Sequence, residues 1–150
     1  DNDSDNESSR FHVFWNNKKN FYYAKNDTTC DGCSTAQFND NVTLDKDDTQ
    51  APGTETITIP NSWRSGTYRY SAHDYTNAGN SGNASSTKFA ASGTTVTVYY
   101  GDTEPRTYNV PNSAGTLWTV FTIDGSSKVI TTVNSMSAVA GTYAGSASIE

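Results

Sequence analysis

The chain lacks most of the signals that mark helical, membrane-spanning, nucleic-acid-binding or catalytic proteins. Few stretches space apolar residues at i, i+3 and i+4, so amphipathic helices are not expected. No apolar run approaches the length that crosses a bilayer, and membrane insertion is not expected. Binding a phosphate backbone needs a basic surface, and a net charge of −6 argues against a nucleic-acid partner. No Ser sits in a nucleophile elbow, and no Cys has an activating context. His12 and His73 read as histidines satisfied by neighbours. Asp74 follows His73 directly, and adjacent strand residues point to opposite faces. An enzyme is therefore not expected.

Cysteine is scarce too. The chain has 2, Cys30 and Cys33, in the run Cys-Asp-Gly-Cys. A redox motif of this spacing normally opens a helix beside a βαβ unit, and none is legible. Zinc would need two more soft ligands, and the two histidines are far apart in sequence. What remains is a small structural disulfide closing a loop tip in an oxidising compartment. Low lysine content and heavy Thr and Asn usage agree with an extracellular protein. The opening Asp1-Asn2-Asp3-Ser4-Asp5 reads as a mature terminus or the middle of a longer protein. Sequons at Asn6, Asn26, Asn41 and Asn83 mark exposed loops if the source glycosylates.

What the chain does have is short runs of period-two alternation, rich in Thr, Val, Tyr and Ile and punctuated by Asn, Gly and Ser. Strands are expected at Arg10–Trp15, Phe21–Ala24, Val42–Leu44, Thr56–Ile59 and Gly66–Tyr75. Others are expected at Thr94–Tyr100, Arg106–Pro111, Leu117–Ile123 and Lys128–Asn134, with Trp118, Val120 and Phe121 as core. Asn16–Asn20 reads as a turn, Asn26–Asp40 and Thr76–Thr87 as loops, and Asp124-Gly125 as a hairpin turn. About eight strands at this spacing imply an all-β, Greek-key β-sandwich of Ig-like or jelly-roll-like type. The expected organisation is an acidic segment at 1–9, a sandwich at 10–136 and an extension at 137–150.

Charge is concentrated in Thr43–Ile59. Asp45, Asp47, Asp48 and Glu55 fall within eleven positions, beside the alternating run Glu55–Ile59. Like charges at this density repel, and either solvent or a hard cation offsets them. Ca2+ prefers several carboxylate and carbonyl oxygens from a flexible loop. Asp1, Asp3 and Asp5 alternate like the start of a calcium loop and are candidates to join it. The segment is not a full EF-hand loop, because no Gly stands at the sixth position from Asp45.

The extension Ser137–Glu150 is built of small residues yet alternates. Val139, Tyr143 and Ile149 share one parity, as pegs of one more strand would. Exposed aromatics, with Trp63 and Tyr75 foremost, suit stacking on a sugar ring.

Several of these pieces together resemble a family of secreted bacterial β-sandwich modules found in large surface and adhesion-type proteins. They are Arg10-Phe11-His12-Val13, Leu44–Thr49 with Gly53–Ile59, Gly66–Tyr70 with His73–Asn77, Thr95–Tyr100, and Val110-Pro111 with Gly115–Phe121. The resemblance covers about Arg10 to Met136 and implies a divalent-cation site at the acidic block. One departure matters. The family usually has a further strand ahead of the segment matching Arg10, and nothing apolar precedes Arg10 here. A sandwich short of a strand leaves backbone donors unpaired. A neighbour's tail filling that gap gives a head-to-tail homo-oligomer, and a tail folding back completes its own domain. The expectation is an extracellular, cell-surface structural subunit that polymerises by strand complementation with Ca2+. The alternative is a carbohydrate- or ligand-binding module.

Overall fold

A computed structural model describes residues 2–3, 13, 19–21, 41–48, 50, 52–60, 66–80 and 83–139. The chain is nearly all-β with antiparallel sheets, as expected of the sandwich class. It divides into two compact units, 1–68 with 123–129 and 69–122 with 130–150.

In the first unit, β2 (Lys19–Phe21), β3 (Asn41–Lys46) and β4 (Thr56–Thr58) form an antiparallel sheet with β3 in the middle. Alternation drives β3 as far as Leu44: Val42 and Leu44 are buried with half-buried Thr43 between them, and beyond them Asp45 and Lys46 are both exposed. Leu44 pairs with Ile57 and Lys46 with Thr56, so the register slips between Leu44 and Lys46. Such a bulge bends the strand where the acidic loop begins. Short β1 (Asn2–Asp3) pairs with the start of β5 (Thr67–His73), Asn2 opposite Tyr68 and Asp3 opposite Thr67. Tyr68 is buried.

The second unit holds β9 (Ile130–Ser137), β5 from Arg69 onward and β8 (Leu117–Asp124) as far as Thr122, neighbours in the order β5, β8, β9. β6 (Thr95–Val98) and β7 (Arg106–Asn109) form a separate hairpin. Val96 and Val98 are half-buried while Thr95 and Thr97 face solvent. Thr97 stands opposite Thr107, their hydroxyls 3.0 Å apart. β8 is the core strand. Leu117, Trp118, Val120 and Phe121 are all buried, and they span both parities. A strand covered on both faces reads as a near-continuous apolar run. Tyr70 stacks on Phe121 with ring centroids 5.2 Å apart, Tyr108 lies at 5.6 Å from the same ring, and Phe89 meets Trp118 edge-on at 6.4 Å. Each large side chain so buried contributes about 1.5–3 kcal/mol of transfer free energy.

Three local expectations are corrected. Lys19 and Asn20 belong to β2, not to a turn, because their backbones pair in register with Thr43 and Val42. The stretch Thr76–Thr87 is not all loop, since Thr76–Asn80 forms a π-helical turn. The turn expected at Asp124-Gly125 is present, but the strand after it is displaced from the expected Lys128–Asn134. Lys128 adopts a positive φ of 63°, and β9 starts at Ile130 and runs to Ser137. The expected strand at Arg10–Trp15 lies outside the described residues except for Val13, which is half-buried.

Candidate functional sites

The acidic loop is organised by its own neighbours. Thr43 and Asp45 are two apart on β3, and Thr58 stands opposite Thr43. Residues so placed project to one face. Both carboxylate oxygens of Asp45 are engaged: Oδ1 accepts the Thr43 hydroxyl and Oδ2 the Thr58 hydroxyl. Asp48 Oδ1 accepts the Gln50 amide at 3.1 Å, an Asx-type turn, and Oδ2 lies 3.1 Å from Lys46 Nζ. The Gln50 amide first, then the Lys46 ammonium, hold the Asp48 carboxyl below its ordinary value. The turn leaves no room at Gly53, where a Cβ would lie 2.5 Å from the Gln50 carbonyl oxygen. Asp47 is half-buried and Glu55 exposed.

Two hydroxyls, an amide and an ammonium thus occupy the oxygens of Asp45 and Asp48. Among the described residues, no three His, Cys, Asp or Glu side chains converge on a point that could hold a metal ion. Asp3 lies in β1, and Asp1 and Asp5 lie outside the described residues.

At the root of the C-terminal extension lies a fully buried polar residue, Thr116. Thr116 is 0% exposed, yet its polar atoms are all bonded. Its amide donates to Ser137 O at 2.9 Å, and its carbonyl accepts the Asp74 amide at 2.7 Å. Its hydroxyl donates to Val139 O at 2.6 Å and accepts the Val139 amide at 3.2 Å. Val139 and Leu117 are buried together. Gly115 has a φ of 150°, and a Cβ there would lie 2.7 Å from Ser137 O, so the strand end passes directly over this glycine. Of the three pegs, Val139 therefore packs within its own unit. Tyr143 and Ile149 lie outside the described residues. β9 is the outer strand of its sheet among the described residues, and most of it is exposed, with Val133 at 40%.

Tyr75 is 44% exposed, as a stacking residue needs to be. Trp63 lies outside the described residues, as do Cys30, Cys33, Asn6, Asn26 and His12. Asn83 is exposed. Asn41 is not in a loop, because its backbone pairs with Phe21 at the start of β3. Sequence reasoning passed over Tyr99, which follows β6 and is the most exposed of the large hydrophobic side chains described. Its position ahead of Gly101-Asp102 was the available signal.

His73 departs from the expectation of a satisfied histidine. Its Nε2 is buried and has no hydrogen-bond partner among the described residues. Burial pushes the imidazole pKa below the ordinary value, against the pull of the Asp74 charge. Asp74 itself caps the π-helical turn, Oδ1 accepting the Asn77 amide at 3.2 Å and Oδ2 the Asn77 side-chain amide at 2.6 Å. Asp-x-x-Asn was the missed signal, since a carboxylate bonding the amide three residues on is helix N-capping geometry. No family model, characterised protein or solved structure matches this chain.

Proposed function

We propose that this chain is an extracellular structural subunit, a β-sandwich that assembles with copies of itself into a surface filament or array by β-strand complementation. The observation that carries the reading is β9, an eight-residue edge strand among the described residues, exposed along most of its length. A long strand edge presents unpaired amides and carbonyls to another chain. The alternating extension supplies a strand to pair with such an edge. The resemblance to secreted bacterial surface modules points the same way. Calcium enters through Asp45, Asp47, Asp48 and Glu55. Because the protein's own donors already meet Asp45 and Asp48, the ion adds stability to a loop that forms without it.

Removal of residues 140–150 tests the assembly. Sedimentation and negative-stain microscopy are expected to show polymers for the full chain and folded monomers for the shortened one. A full chain that stays monomeric, or a shortened chain that still polymerises, overturns the reading.

A second reading rests on the exposure of Tyr75. In it the chain is a carbohydrate-binding module, with Trp63 and Tyr75 stacking on a sugar ring. Glycan-array binding that is lost in both Trp63→Ala and Tyr75→Ala favours this reading. The absence of any glycan signal removes it.

A further inference from the structure

We propose that Thr116 is the anchor of the donated strand: it holds Ser137–Val139 in the subunit that made them, so that residues 140–150 alone pass to the neighbour. This rests on the strand-complementation reading above. Three observations support it. First, the clamp is two-sided. The Thr116 amide takes Ser137 O, and its hydroxyl takes both the amide and the carbonyl of Val139. Secondly, the clamp is dry. Thr116 is fully buried and Val139 is 7% exposed, so releasing the root would strand buried polar groups and uncover an apolar side chain. Thirdly, Gly115 lets the strand end lie against its backbone, where any side chain would collide with Ser137.

The remaining length suffices. Eleven residues follow Val139, and fully extended they reach about 36 Å. A strand of ordinary length uses about 17–20 Å of that, leaving the rest to cross between subunits. The anchor also sets the phase. Val139 is held inward, and in an extended continuation Tyr143 and Ile149 share its parity. Thr116 is thus a positioning residue: it fixes where the tail departs and which side chains it offers.

The test is hydrogen exchange on the full wild-type chain, free and assembled, with Thr116→Val and Thr116→Ser beside it. The Val139 amide is expected to be protected in both states, and amides of 140–150 only after assembly. Thr116→Val, which removes both hydroxyl bonds to Val139, is expected to slow polymerisation at least about tenfold, and Thr116→Ser to restore it. Two results overturn the anchor: a Val139 amide that exchanges freely until assembly, or Thr116→Val polymerising at the wild-type rate. Should Thr116→Val not fold, the wild-type exchange data decide alone. If polymers form yet no amide of 140–150 gains protection, the strand-donation reading fails, and the anchor with it.

Discussion

The indole Nε1 of Trp118 donates to Oδ1 of Asn134 at 2.9 Å. Trp118 is fully buried, and Asn134 has a φ of 48°, a left-handed conformation in the middle of β9. Asn tolerates that conformation better than most residues, because its short polar side chain bonds locally. The strand therefore kinks at the residue that satisfies the core tryptophan. Asn134→Ala is expected to cost about 1–3 kcal/mol in urea unfolding, since it leaves the buried donor unpaired. Asn134→Gly removes the same bond but relaxes the backbone, so it is expected to cost less than Ala. Equal stability of all three proteins would refute the role of this bond.

Phe121 carries two aromatic contacts, with Tyr70 and Tyr108. Phe121→Ala is expected to lose about 3–5 kcal/mol, from burial and the cavity left behind. Against a total stability of about 5–15 kcal/mol, that is a large share. Phe121→Leu fills most of the space and is expected to lose clearly less. Thermal unfolding of the two variants provides the comparison.

Gly115→Ala places a methyl group against Ser137 at a backbone angle that side chains rarely adopt. The expected result is a lower melting temperature and faster exchange of the Ser137–Val139 amides. Gly93 also has a positive φ but faces open space, so Gly93→Ala meets the backbone penalty alone. Gly93 at φ 70° lies in the left-handed region that other residues can enter, whereas φ 150° is essentially glycine's alone, so the larger loss expected at Gly115 combines backbone strain with the collision.

His73 gives the protein a pH dependence of definite sign. Its folded pKa lies below the ordinary 6.5. Above that value both states are neutral and the group contributes nothing to the balance. As pH falls through 6.5 the unfolded chain takes up a proton first, and stability drops until the folded pKa is passed. Asp48 and Asp124 act lower. Their folded values lie below 3.8, so what they contribute above that value is lost only as pH falls through those lowered values. Melting curves from about pH 7.5 to pH 5 are expected to fall for the wild type and to flatten for His73→Leu. A slope that survives the substitution would assign the effect to another group.

Calcium is expected to raise the melting temperature without being required for folding. Ligand in hundredfold excess over its dissociation constant adds about 2.7 kcal/mol. Asp45→Asn combined with Asp48→Asn is expected to abolish the shift. A melting temperature indifferent to both calcium and chelator would remove the ion from the proposal.

Much of the fold was legible because alternation and burial coincide. β3, β5, β6, β7 and β8 stand where their Val, Tyr and Thr patterns put them. Of β2 only Phe21 was legible as strand, since Lys19 and Asn20 favour turns by themselves and only their pairing with β3 makes them a strand. The acidic loop was visible as a concentration of charge. That Thr43 and Thr58 would answer Asp45 depends on cross-strand register, which composition does not carry. Thr116 gave no signal at all. A threonine between Gly115 and an apolar strand reads as an ordinary strand start, and its importance comes from a partner twenty-three positions away.

Neither unit is one continuous piece of chain. The first unit needs residues 123–129 beside residues 1–68. A nascent chain emerging from its N-terminus thus delivers most of the second unit before the last piece of the first arrives. The first unit closes only once residue 129 is available, so during synthesis it stays incomplete while residues 69–122 of the second unit are already made.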